Sequence, residues 1–481
     1  SMKRSFWNIA MLFLVSTTAT FAQHKLWTLQ ECISHARENN ISVQKSELQY
    51  QNALINKSDA IGNFLPSANV SSSHSWNIGL NQNITTGLLE NQTTQFTSAG
   101  LDVGIDIYKG SQNLYKLQRS RLTELSAKYQ QDKLQDDISI NVVNSYLQIL
   151  FNREFLKVYQ SQYKYDASQY DRIKILVEAG NVPAGDLLDS EATLATTLQN
   201  MTIAENNLKI SKLALAQLLQ ITDYEHFDVI EENIAAEDSS VLLESPETIV
   251  AKSKDVLLDS KINEAELEIA KKDIQIARAS YLPTIRGFYS FQTRAAYSKI
   301  VNGMELNQAN PTSTIGYVEG TNQSVLTPNY SPILGPAKGI FDQFDTNKGQ
   351  NFGIGISIPI LNGFQIRNNV SRSKIALETA ELNLKETNLQ IEQKVYTAYS
   401  DTQGALQTYK AAQKTLTARK QSLEYARQRY DVGLLNIFDL NQNQNLVIAA
   451  ESELLRTKYD FIFKTKILEY YFGLPIFKNE N

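Results

Sequence analysis

Two stretches of this 481-residue chain, 110–180 and 363–433, each run 70 positions from one glycine to another without a proline; Gly404 is the only glycine inside either. A stretch that long without a breaker folds as a single helix of about 100 Å at 1.5 Å per residue. The two stretches are copies. Tyr108-Lys-Gly110 recurs as Leu361-Asn-Gly363, and Glu178-Ala-Gly180 recurs as Asp431-Val-Gly433, both at an offset of 253. The same offset places Asp186-Leu187 on Asp439-Leu440 and Leu219 on Phe472, so a module of more than 100 residues is duplicated without a gap. Leu65-Pro66 recurs as Leu282-Pro283 at an offset of only 217. An insertion of 36 residues therefore separates Pro283 from Gly363. It falls in 298–350, rich in Asn, Ser, Thr, Gly and Pro, which reads as a long exposed loop.

Gly180 and Gly433 fit the left-handed stop of a helix, and Asp186 and Asp439 fit the positive start of the returning one. The return helix shows a heptad-like seam at Leu187, Leu194, Leu198, Met201, Leu208, Leu215 and Leu219. Its copy carries Leu440, Gln444, Val447, Leu454, Phe461, Leu468 and Phe472. On the first long helix, Ile138, Val142, Tyr146 and Ile149 lie beside Val143, Leu147 and Leu150, a stripe wide enough to pack on two sides.

Four short segments change period. Leu101, Val103, Ile105 and Ile107 alternate with more polar residues, as do Phe352, Ile354, Ile356, Ile358 and Ile360. Weaker alternation spans 68–78 and 285–294. Each segment has the length of a tilted strand crossing a bilayer. Pro66, Gly110, Pro283 and Gly363 mark the helix–strand junctions, and nothing in the sequence supplies a layer to cover the apolar faces. Four strands cannot close a spanning barrel, and open edges are not tolerated in lipid, so several chains must combine.

The remaining composition narrows the function. One cysteine, Cys32, permits no intrachain disulfide, and four scattered histidines form no metal pattern; neither metal nor cofactor is expected. With 46 basic against 51 acidic residues and no basic tract, nucleic acid is not an expected partner. No apolar run reaches the length of a membrane-spanning helix, and mean hydropathy is −0.31. Lys3 and Arg4, the apolar run 6–15 and Thr20-Phe21-Ala22 read as a signal peptide over 1–22. Its removal would leave 44 basic against 51 acidic residues. Gly353-x-Gly355 lies within a strand and lacks the third glycine and helix of a dinucleotide site, so no enzyme is expected. A soluble periplasmic coiled-coil adaptor is the alternative reading; it shares long hairpins but should lack four bilayer-length amphipathic strands.

From Thr28-Leu-Gln-Glu-Cys-Ile-Ser-His-Ala-Arg-Glu-Asn-Asn40 through both repeats, the chain resembles the TolC-like outer-membrane efflux proteins. The most specific pieces are Arg429-Tyr430-Asp-Val-Gly433, followed by Ile437-Phe-Asp439-Leu440, and Gly180 followed by Asp186-Leu187. The resemblance implies an α+β membrane protein: a homotrimer whose four strands per chain build a 12-stranded barrel, continuous with a periplasmic barrel of long coaxial helices. It implies a passive exit duct for efflux or type I secretion, served by an inner-membrane pump and a periplasmic adaptor, with outer-membrane lipid around the strands. The implied organisation is a first repeat over 23–219, with strands 67–80 and 97–108, long helix 111–179 and return helix 186–219. A connecting equatorial segment over 220–260 follows. The second repeat covers 261–472, with strands 284–294 and 351–361, long helix 364–432 and return helix 437–472, before a tail at 473–481. It also implies a periplasmic constriction at the helix turns. Asp439 falls on an aspartate-ring position, Gln442 stands where a second ring aspartate is expected, and the first repeat offers Asp186 and Asp189. Leu435 replaces a bridging arginine, while Tyr430, which supports the same contact, is kept.

Overall fold

The computed structural model describes residues 24–83, 87–236 and 239–476; the expected signal peptide and the last five residues of the tail lie outside them. In chain order the elements are β1 (Leu26–Trp27), α1 (Leu29–Asn39), α2 (Ile41–Gly62), β2 (Ser67–Gln82), β3 (Leu89–Lys109), α3 (Gln112–Glu178) and α4 (Ala184–Leu218). Then come β4 (Asp228–Val229), α5 (Pro246–Val256), α6 (Leu258–Ala279), β5 (Thr284–Ala296), β6 (Ile300–Leu306), β7 (Thr312–Tyr317), β8 (Ser324–Pro328) and β9 (Tyr330–Gly335). The chain ends with α7 (Ile340–Thr346), β10 (Gly349–Ser357), α8 (Gln365–Asp431) and α9 (Ile437–Tyr471). The described residues form two compact units, one drawn from 24–52, 125–265 and 381–476, the other from 53–124 and 266–380.

The first unit is helical, with its largest core where the duplicated helices meet the connecting segment. All seven residues of the α3 stripe, from Ile138 to Leu150, are buried in it. The two-residue strands β1 and β4 pair in parallel beside this core, and Tyr146 donates its hydroxyl to the Ile230 carbonyl at 2.8 Å. Thr28 and Glu31 form a reciprocal capping box that starts α1. Cys32 sits in the same core, where burial pushes its thiol up to about 12, a value that leaves it chemically inert.

The second unit is built on a four-stranded antiparallel sheet in the order β10-β5-β3-β2. Its register aligns one apolar face: Val70, Leu101 and Phe291 in one row, Ala68, Val103, Tyr289 and Phe352 in the next, then Ile105, Gly287 and Ile354. The opposite face carries Asn69, Asp102, Ser290 and Asn351, with Ser290 donating to Asp102 at 2.8 Å. The apolar face is open: Val70 is 81% exposed and Ile354 66%.

Several expected boundaries are corrected. Strand β3 starts at Leu89, not 97, because hairpin pairing with β2 carries the ladder past the apolar band to Gln82. Strand β10 stops at Ser357, not 361, two residues before Pro359, which has no N–H to give a ladder. Helix α6 begins at Leu258 and crosses the boundary placed at 260. The expected loop 298–350 is largely ordered secondary structure, with β6 pairing β9, β7 pairing β8, and α7 against β5. There Gln343 bonds both backbone groups of Ala296, satisfying β5 beyond the end of β10. The seam of α4 is also displaced. Its buried residues include Ser190, Thr197, Ala204 and Ser211, seven apart, whereas Leu198 of the expected seam is 44% exposed. Small residues let two helices approach closely, which leaves Leu198 on the flank, while Leu215 and Leu219 of the expected seam are buried in the main core.

The junction glycines are not equivalent. Gly110 and Gly363 both have φ of +61°, and each is followed by a second left-handed residue, Ser111 or Phe364. A Cβ on Gly110 would lie 2.5 Å from the Ala279 carbonyl oxygen, while one on Gly363 meets nothing within 4 Å. Gly363→Ala is therefore expected to cost about 1–2 kcal/mol for the left-handed conformation alone. Gly110→Ala should add an overpacking cost of about 1–3 kcal/mol. Thermal unfolding of the two variants checks this; equal midpoints would show that space at Gly110 is irrelevant.

Candidate functional site at the helix turns

Both repeats end their long helix in the same way. Gly180 (φ +73°) and Gly433 (φ +78°) donate to the carbonyls of Val177 and Tyr430, and Asn181 and Leu434 donate to Leu176 and Arg429, the paired bonds of a left-handed helix stop. No neighbour approaches either glycine, so backbone conformation alone selects the residue. The return helices begin at Ala184 and Ile437, which puts Asp186 and Asp439 at the same third position of each first turn. In α9, Asn436 caps the helix by accepting from the Asp439 N–H at 2.8 Å; in α4, Pro183 stands at the cap and no side chain bonds there.

Asp439 is thus not the residue that caps α9, whereas α4 has Asp186 in its first turn and no side-chain cap. Among the described residues no cation lies within ion-pair distance of Asp186, Asp189 or Asp439. Asp186 and Asp439 are half-buried; Asp189 and Gln442 are exposed. Tyr430 is half-buried as well. Burial holds its phenol above the usual range, and the nearby Asp186 adds to this while Arg172 opposes it. Leu435 packs with Tyr430 and Leu187 around a small core of Ile173, Leu423, Ala426, Ile437, Leu440 and Val447. Apolar packing occupies the position where the family resemblance led us to expect an arginine.

Further along the same helices lies a buried polar chain that the sequence reading did not single out. Asp166 on α3 accepts from Gln162 Nε2 at 2.8 Å and from Thr197 Oγ1 of α4 at 2.6 Å. Gln162 Oε1 accepts from Gln444 of α9 at 2.7 Å, and Gln444 Oε1 accepts from Arg427 of α8 at 3.1 Å. The Arg427 guanidinium lies over the Tyr165 ring, 5.0 Å from its centre. Four helices are joined by one hydrogen-bonded line.

Comparisons place this geometry. The profile of the outer membrane efflux protein family matches residues 32–219 and 261–462. The chain is 21% identical over 442 residues to the outer membrane protein TolC of Escherichia coli K12, spanning 90% of this chain and 80% of that protein. Its fold is similar to that of the outer membrane protein VceC of Vibrio cholerae, with a TM-score of 0.71 at 13% identity, over 93% and 97% of the two chains. It is also similar to the open-state MtrE outer membrane channel of Neisseria gonorrhoeae, with a TM-score of 0.67 at 17% identity over 93% and 89%. With both repeats matched by the profile and the two-repeat fold shared with solved channels, the chain belongs to the outer membrane efflux protein family, the TolC-like proteins of the outer membrane.

Proposed function

We propose that the chain is one third of a homotrimeric duct, the passive exit of a tripartite efflux or type I secretion system. The observation that carries this is the open sheet. Among the described residues of one chain β2 and β10 each leave an edge unpaired, and the apolar face between them is uncovered. Such edges cannot face lipid, and pairing β2 of one copy with β10 of the next closes the sheet; three copies, the number the family resemblance implies, give 12 strands. The exposed leucines of α4 then meet neighbouring copies in the helical part. The polar face of the sheet lines the barrel, and the turns around Gly180 and Gly433 form its periplasmic constriction, ringed by Asp186, Asp189 and Asp439 with Gln442 and Tyr430 beside them. An inner-membrane pump and a periplasmic adaptor supply the cargo. Native mass measurement of the detergent-extracted protein tests the assembly: three chains are expected, and a stable folded monomer would sink the reading.

A further inference from the structure

The buried chain from Asp166 to Arg427 lies away from the aspartates at the turns, and the constriction does not account for it. Asp166 is 4% exposed, and among the described residues no cation is within ion-pair distance of it. Because an ionised carboxylate only accepts, Gln162 must turn its amide N–H toward Asp166 and its oxygen toward Gln444. Gln444 is then bound to donate to Gln162 and accept from Arg427. The carboxyl group on the first helical hairpin is thus linked through two glutamine amides to Arg427 on the second.

A proton can enter this arrangement without breaking it. Thr197 Oγ1 lies within bonding distance of both Asp166 Oδ2 (2.6 Å) and the Thr193 carbonyl (3.1 Å). When Asp166 is ionised, the Thr197 hydroxyl donates to it. When Asp166 is protonated, its own O–H donates to Thr197 Oγ1, and the threonine proton turns to the Thr193 carbonyl. No bond is lost, and the carboxylate charge is no longer buried.

We propose that Asp166 is a proton-responsive positioning residue: neutral, it holds α3 and α4 against α8 and α9; ionised, it favours their separation and hence opening of the constriction. Only the last clause rests on the duct reading. Burial moves the Asp166 carboxyl above the usual carboxylate range, against the lowering effect of its bonds to Thr197 and Gln162. The charged group reaching the chain is Arg427 of α8; α4 and α9 bring the uncharged Thr197 and Gln444 to it. Tyr430, also on α8, has Arg172 and Asp186 for neighbours. The sign follows from linkage. A group whose pKa is raised in the packed state contributes stability that is complete below its unfolded pKa and lost as pH rises through the raised value.

The test compares wild type with Asp166→Asn, which keeps the shape and removes the charge. In thermal unfolding of the detergent-solubilised protein, the Asn variant should melt higher than wild type at alkaline pH, with the gap closing as the pH is lowered and the raised carboxyl takes up its proton. In planar bilayers the wild-type channel should spend more time closed as pH falls, by up to about tenfold in the closed-to-open ratio for each pKa unit separating the two states. Asp166→Asn should stay near the acid level with this response flattened. An Asn variant that melts lower than wild type at the higher pH, or one that keeps the wild-type opening profile, overturns the proposal. A wild type that forms no channel would overturn the duct reading, and the melting comparison would still decide the role of Asp166.

Discussion

Ile354→Arg is expected to abolish trimer in the outer membrane, while Asn351→Arg, three residues away on the same strand, leaves it at wild-type level. The register separates the two positions. Ile354 pairs with Gly287, which pairs in turn with Ile105, in the midst of the apolar rows, whereas Asn351 pairs with Ser290 and so with Asp102 on the polar face. An arginine facing lipid near the middle of a barrel costs about 2–4 kcal/mol, and the proposed trimer would repeat that cost three times. The sum, roughly 6–12 kcal/mol, rivals the whole stability of an ordinary folded protein. An arginine at 351 remains in water and gains an acidic neighbour in Asp102. The measurement is the amount of heat-resistant trimer in the outer-membrane fraction. Equal loss at both positions would show that the faces are assigned the wrong way round.

Why the apolar face was legible in advance, and the seam of α4 was not, is a matter of what each pattern encodes. A strand facing lipid on one side and water on the other alternates at period two, and Leu101, Val103 and Ile105 carry that alternation without ambiguity. The long helices were equally plain, because a 70-residue stretch free of proline permits little else. A helix packed on several sides has more than one apolar stripe. Along most of α4 the seam within one chain is chosen by closeness of approach, so Ser190, Thr197, Ala204 and Ser211 occupy it and Leu198 remains on the flank, whereas Leu215 and Leu219 are buried as the sequence pattern implies. The polar chain escaped notice for a related reason. Gln444 stood in the seam as an interruption, and Asp166 is far from it in sequence; only the crossing of four helices brings them together. Strand ends were missed where pairing, not hydropathy, sets them, as at Leu89.

Replacing Asp186, Asp189 and Asp439 together by Asn is expected to remove block of the channel by divalent cations and to raise its conductance. Each chain has three carboxylates at the turns, so the proposed trimer would bring nine together, with no lysine or arginine among the described residues of one chain paired to them. Like charges so crowded are unfavourable unless cations compensate, so a ring of this kind would attract divalent ions. Their other available role is weak here: Asn436 already caps α9, and an acidic residue in a first turn contributes only about 0.3–1 kcal/mol through the helix dipole. The helices should therefore survive the substitution, held by the packing of Leu435, Leu187 and Tyr430 around Ile173 and Leu440. Single-channel recording with a divalent cation on the periplasmic side gives the answer. Wild type should be blocked, and the triple variant should need at least about tenfold more cation for the same block, equivalent to about 1.4 kcal/mol of lost binding. A triple variant blocked as readily as wild type would mean that the constriction lies elsewhere and that these aspartates serve only the helix starts.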